Sequence, residues 1–185
     1  MRILNSTDSI LSGAEDLVIL NSVTVTVGDA IKVSYASNKG GADAADAVTD
    51  RVYGIATGIS KDGIPLSQLT STTDYDGTYT NSQNGDTYVA ASDNTSDKEI
   101  KVSVSLVDNA LIEATLSDGS GTASVRGTTT GSDQIGYFLS IDTTDSTMLD
   151  ETSATTTPEQ YMIVRNHPTD TSKVIVKCCE KQVYN

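Results

Sequence analysis

The sequence predicts an all-β protein: a compact β-barrel or β-sandwich of antiparallel hairpins with long polar loops and few or no long helices. Three observations carry that prediction. Short runs of alternating apolar and polar residues recur along the chain. In residues 98–107, Ile100, Val102, Val104 and Leu106 face one way, and Lys101, Ser103 and Ser105 the other. Turn dipeptides such as Asp76-Gly77, Asn84-Gly85 and Asp118-Gly119 punctuate these runs. Thr and Val favour strands, and no amphipathic helix longer than about two turns can be drawn.

Taken in order, residues 1–20 carry weak patterning and read as an N-terminal arm preceding a β-rich domain over 21–185. A possible internal boundary falls near residues 91–97, in a polar stretch. Val23, Val25 and Val27 alternate with Thr24 and Thr26, Gly28-Asp29 interrupts, and Ile31, Val33 and Tyr35 alternate with Lys32 and Ser34. This predicts a hairpin-like pair with one apolar face. Residues 38–50 read as a polar loop, with a helical turn allowed through the alanines. Residues 51–59 are the next strand, where Gly54 and Gly58 suit a bulge or a close backbone approach. Residues 68–86 form a long polar insertion, with Tyr79 and Tyr88 expected to face each other across the Asn84-Gly85 turn. Strands follow at 98–107, 111–119 and 134–142. Residues 119–133 are a flexible Gly/Ser/Thr-rich segment and 143–158 a polar loop. The last two strands cover 160–168 and 173–183. No internal repeat is visible in the sequence.

Composition narrows the function. The 185 residues hold no Trp, one Phe and eight Tyr, so large apolar groups are scarce. The formal net charge is −13 and the isoelectric point about 4.2, which repels nucleic-acid backbones and anionic lipid surfaces. No segment approaches the ~20 apolar residues of a membrane span. The start of the chain, interrupted by Asp8, Glu15 and Asp16, does not read as a secretory signal. The only cysteines, Cys178 and Cys179, are adjacent. That spacing disfavours a mutual disulfide and predicts two reduced thiols on a strand, one facing in and one out, in a cytoplasm-made protein.

Candidate chemistry is sparse. His167 is the only histidine, so any Ser-His or Cys-His arrangement must use it. It precedes Pro168 in an expected exposed turn, and no G-x-S-x-G accompanies it. Paired carboxylates arise by chance among 25 acidic residues, and a glycosidase groove without Trp lacks its usual platforms. Calcium is the better rival: residues 74–77 (DYDG) and 142–151 (DTTDSTMLDE) place oxygen ligands in loops, without the EF-hand spacing. Gly119-Ser120-Gly121 lacks the Lys-Ser/Thr and following helix of a phosphate cradle. The sequence therefore predicts no catalytic residue, no cofactor and no metal.

One wider pattern stands out. VTVGDAIKVSY followed by RVYGIATGIS resembles the opening of small phage capsid decoration, or cement, proteins. The later run of LIEATLS, DQIGYFLSID and YMIVRNHPTDTSKVIVKCCEKQ resembles one branch of that group. The resemblance covers about residues 22–183. It implies a non-enzymatic virion protein, made in the host cytoplasm, that binds the major capsid protein on the outer face of an icosahedral head, often as a homotrimer. Residues 1–20 and one glycine-rich loop would then contact the shell or a neighbouring copy. The rival expectation is a phage adhesive module that displays residues 68–86 and 119–133 to a host glycan.

Overall fold

The structure, a computed structural model, describes residues 1–6, 14–36, 39–69, 75–83, 85–92, 98–107, 110–127 and 134–179. Fifteen strands and one short 3-10 turn make up its regular structure. They are β1 (Arg2–Ser6), β2 (Ala14–Val18), β3 (Thr24–Thr26), β4 (Ala30–Ala36), β5 (Lys39–Ala44), β6 (Gly54–Lys61), β7 (Ile64–Pro65), β8 (Gly77–Thr80), β9 (Thr87–Ala90), β10 (Lys101–Leu106), β11 (Ala110–Ser117), β12 (Phe138–Ile141), β13 (Met148–Thr155), β14 (Tyr161–Asn166) and β15 (Lys173–Cys178), with the 3-10 turn at Leu66–Gln68. The all-β expectation holds, in its barrel form. No helix among the described residues is long and apolar enough to cross a membrane.

Two five-stranded rings carry the fold. In the second, the order β11-β13-β12-β14-β15 returns to β11 through the β11–β15 ladder, so the sheet closes on itself. In the first, the order β2-β10-β6-β4-β5 returns to β2 at one point. There Ile19 bridges Ala42 in parallel and the Leu20 N–H donates to the Ala42 carbonyl at 3.2 Å. A ring of five cannot be antiparallel throughout, because alternation around an odd number of strands ends on the wrong sense. Each ring resolves this with one parallel contact, β2 with β5 and β11 with β13.

The two rings share one topology. Numbered within itself, each runs 1-3-2-4-5, with strands 1 and 3 parallel. The correspondence reaches single hydrogen bonds. Gly28 N–H donates to the Ala56 carbonyl and Ala56 N–H to the Asp29 carbonyl, each at 2.9 Å. In the second ring Gly136 and Ile163, then Ile163 and Tyr137, repeat the pair at 2.8 Å. Gly28 and Gly136 both sit at positive φ, 103° and 87°. The fourth strand bulges at the same place, at Thr57 against β10 and at Val164 against β15. The repeat that the sequence hides is thus written in the backbone.

Several expectations need correction. Residues 23–35 are not a hairpin. β3 pairs with β9 in a separate three-stranded sheet, β3-β9-β8, while β4 pairs with β5 and β6. A turn does close there, with the Asp29 N–H donating to the Thr26 carbonyl at 2.9 Å, but the Gly28 N–H and the Asp29 carbonyl bond to Ala56 and the chain enters β4 in another sheet. Residues 39–44 and 148–155, expected as loops, are strands. Residues 134–137 precede β12 instead of belonging to it. Residues 1–20 are no free arm in their described part: β1 lies along β11 of the second ring and β2 pairs with β10 of the first. The boundary expected near 91–97 falls partly outside the described residues, and β10 still belongs to the first ring, so the change of ring comes between Leu106 and Ala110. Cys178 and Cys179 are unbridged and both half-buried, and Cys178 packs against the second core.

Each ring encloses a core. Ile31, Ala42, Ala56, Ile59, Val102 and Val104 fill the first, and Val25, Tyr88 and Ala90 from the three-stranded sheet close it off. Tyr88 stands opposite Tyr79, as the sequence predicts, and edge-on to Tyr75. Ile112, Leu116, Leu139, Ile141, Leu149, Tyr161 and Val176 fill the second, which also takes in Ala30, Ala45, Val52, Ile55 and Val107 from the first half. The second core therefore reaches into the first half of the chain.

The first ring closes only because Gly41 is small. A Cβ there would overlap the Val18 carbonyl oxygen and press on the Leu20 side chain. Gly41→Ala is expected to destabilise the protein by about 1–3 kcal/mol, as overpacking does. Gly58→Ala, whose Cβ would meet nothing within 4 Å, should stay within about 0.5 kcal/mol. Urea denaturation of both variants checks this.

Candidate functional site

The sequence-predicted candidates can be placed one by one. His167 lies in its turn but is engaged on both ring nitrogens. Nδ1 accepts the Asp170 N–H at 3.0 Å, and Nε2 lies 3.4 Å from Glu113 Oε2. Its side chain is 20% exposed, so the expectation of an open turn histidine is corrected. No serine or cysteine stands among its hydrogen-bond partners among the described residues. Glu113 also meets Arg2 at 2.9 Å and Lys173 at 3.3 Å. Burial pushes its carboxyl upward, but hydrogen bonds from Lys173 and Arg2 outweigh that and hold its pKa below the ordinary value. The cluster pins β1, β11, β15 and the turn before β15 together. Burial, with Glu159 nearby, raises the Cys179 thiol, which argues against a reactive thiolate.

The calcium candidates are spent on turns. Asp142 is buried and accepts N–H groups from Gly121 at 2.8 Å and Thr144 at 2.7 Å. Burial raises its carboxyl, but a hydrogen bond from Ser117 and those backbone donors bring its pKa below the usual carboxylate range. Glu151 is buried and accepts from Gln134 Nε2 at 2.8 Å. Asp76 pairs with Lys98 at 3.0 Å, and Asp74 lies outside the described residues. Among the described residues no three His, Cys, Asp or Glu side chains converge as metal ligands. Gly119-Ser120-Gly121 likewise aims its N–H groups at the protein's own carboxylates, Ser120 at Asp118 and Gly121 at Asp142.

Sequence reasoning missed the rule behind this. Four Asp-x-Ser/Thr triplets, at Asp118, Asp145, Asp150 and Asp170, make the same turn. Each carboxylate accepts the hydroxyl of the residue two ahead at 2.6 Å and its N–H at 2.8–2.9 Å. The recurrence of D-x-[S/T] is the signal that could have exposed it. All four lie in the second ring and its loops, so much of the acidic, hydroxyl-rich composition there is turn chemistry.

The remaining feature is a cleft of about 940 Å³ where the rings and the three-stranded sheet meet. Hydroxyls, carboxylates and backbone line it, including Ser82, Thr87, Asp46, Ser120 and Asp145. Its floor is Asp29. This side chain is buried, accepts the Thr26 N–H at 2.6 Å from the end of β3 in the three-stranded sheet, and accepts the Ser146 hydroxyl at 2.9 Å from the β12–β13 loop of the second ring. The backbone beside it repeats the link, Ala30 N–H to the Ser146 carbonyl at 3.1 Å. Gln160 Nε2 adds a third tie, to the carbonyls of Ala47 and Asp50 at 3.2 and 3.0 Å.

The chain matches no family model, no curated protein and no solved structure.

Burial raises the Asp29 pKa to about 6, more than the Thr26 and Ser146 hydrogen bonds lower it, and Asp145 adds to the rise. A carboxyl raised in the folded state favours folding where it is protonated. Its contribution is complete below the ordinary value of 3.8 and is lost as pH rises through about 6. The stability advantage of the wild type over Asp29→Asn is therefore expected to be larger at low pH and to shrink on the order of 2–3 kcal/mol across that window. Glu113, whose pKa is lowered, works oppositely, contributing stability above about pH 4.5 and losing it as pH falls through its folded value. Denaturation curves of both proteins across pH separate the two effects, because Glu113 is common to both.

Proposed function

We propose that this chain is a non-enzymatic virion structural protein, a decoration or cement protein that binds the major capsid protein on the outside of an icosahedral phage head. The observation that supports this best is the fate of the polar side chains. Those that could have carried chemistry hold turns and join rings, and leave two tied barrels with an acidic surface. Such a molecule acts through shape and many weak contacts. A symmetric trimer on a local three-fold would multiply each contact by effective concentration. The net charge of −13 keeps it soluble before assembly.

A second reading has an observation of its own. Ser82 and Gly85 from the 68–86 insertion and Ser120 and Gly121 from the 119–133 segment line the same cleft. Hydroxyls and carboxylates around a groove of that size suit a polyhydroxylated ligand such as a host glycan.

The test is occupancy. Purified chain mixed with expanded heads that lack it should co-sediment with them, and cryo-imaging should show added density on the outer face. Binding to host cells but not to heads would favour the adhesive reading, and intact particles that contain no copy of the chain would end the cement proposal.

A further inference from the structure

Position 33 is where the two rings part company. The second strand of each ring starts alike: Ile31 and Leu139 are buried, and each ring's 2–4 ladder covers only two residues, Ala30–Ile31 against β6 and Phe138–Leu139 against β14. Two residues on, Val33 pairs with Ala42 and Ile141 pairs with Leu149, the same register. Ile141 is 1% exposed, whereas Val33 is 54% and Tyr35, next on that face, 74% exposed.

The backbone differs in the same place. Ala30 turns its carbonyl to Ala45 on the β5 side and Ile31 turns its carbonyl to Tyr53 on the β6 side, both at 2.7 Å. Alternation then aims the N–H and C=O of Val33 and Tyr35 toward the β6 side, where no described strand pairs with them. In the second ring that outward N–H, on Ile141, donates to the side-chain oxygen of Gln160 at 2.8 Å. The residue corresponding to Gln160 in the first ring is Tyr53, and its hydroxyl donates to Glu15 instead. One ring thus supplies its own acceptor at this edge, while in the other no described strand pairs with the edge, beside two exposed apolar side chains.

The charge on the opposite face fixes what would fit. Lys32 there is held by Asp46 at 2.7 Å, Asp50 at 2.9 Å and Asp43 at 3.6 Å, three carboxylates against one ammonium. A second copy of this chain would bring the same excess of negative charge and a further net −13. An added strand alternates its side chains between the two faces of the sheet. We propose that the Val33–Tyr35 edge is a docking site for an extended, cationic segment of another protein, which adds a strand to β4 with apolar residues over Val33 and Tyr35 and basic residues over Asp46 and Asp50. This goes beyond the virion reading and stands independently of it.

The test uses the full chain and an alternating Lys-Val peptide, with a Glu-Val peptide of the same length as control. The Lys-Val peptide should bind and slow amide exchange at Val33 and Tyr35, and the Glu-Val peptide should not. Val33→Pro removes one outward N–H and no β4–β5 bond, so the fold should persist while affinity falls by roughly tenfold or more. Should that variant fail to fold, Tyr35→Ser, which removes the apolar contact without adding charge, serves in its place, with an expected loss of affinity in the same direction. Equal binding by wild type and variant would reduce the effect to charge attraction and overturn the proposal, as would no binding at all. Self-association of the chain abolished by Val33→Pro would assign the edge to a second copy and overturn it too.

Discussion

A scarcity of large apolar side chains is the constraint from which the architecture follows. With no Trp and one Phe, the chain cannot fill a wide interior. A five-stranded ring is narrow enough to be filled by Val, Ile, Leu and Ala, and closing it pairs strand edges that would otherwise stay exposed. Closure has its own requirement. Five strands need one parallel contact, and in the first ring that contact brings the backbone of β5 against the end of β2. Only a residue without a side chain fits there, hence Gly41. Gly54 meets the same demand on β6, where a Cβ would overlap Val104 and the Ser105 carbonyl. Small residues at the seams and small apolar residues inside are two sides of one solution.

Two narrow rings each bury little, so their union matters. The second core recruits Ala30, Val52 and Ile55 from the first half, which removes apolar surface from water at the junction. Polar ties fix the orientation: Ser146 to Asp29, Gln160 to the carbonyls of Ala47 and Asp50, and the split of the first strands, β1 to one ring and β2 to the other. Burying a carboxylate such as Asp29 is costly by itself. Here its two hydrogen bonds come from β3 of the three-stranded sheet and from the β12–β13 loop of the second ring, so it ties the start of β4 to both neighbours at a cost in stability.

The sequence told most where one strand face is buried and the other wet. Ile100, Val102 and Val104 alternate visibly and are buried as expected. It told least where burial is done by small or polar groups. β5 carries Gly40, Gly41, Ala42 and Ala44, so its core face looks like loop, although Ala42 is fully buried. β13 buries Leu149 and Glu151 among Asp, Thr and Ser, and Glu151 is satisfied by Gln134, a pairing no local pattern announces. The Val23–Tyr35 hairpin failed for another reason. A Gly-Asp pair between alternating runs is a good turn signal, and the Asp29 N–H does close a turn on the Thr26 carbonyl, but the Asp29 carbonyl goes to Ala56 and the chain crosses into another sheet. The candidate site was legible only as loops rich in Asp, Ser and Thr. That those loops are braced by D-x-[S/T] turns and meet in one cleft is a tertiary fact.

The repeat also changes how function can be located. Where two rings share topology, register, bulge and glycine, their agreement reports what closure demands. Their disagreements are free of that demand. Three stand out: the inserted β3-β9-β8 sheet on the first ring, the four Asp-x-Ser/Thr turns on the second, and the exchange of a buried Ile141 capped by Gln160 for an exposed Val33 with Tyr53 turned to Glu15. The first builds a wall of the cleft, and the second rigidifies the loops opposite. The third leaves apolar surface, and backbone groups that no described strand pairs with, at a place where the second ring covers its own edge. A feature that the second ring shows to be avoidable, and that the first ring keeps, is explained most simply by something outside the chain that covers it.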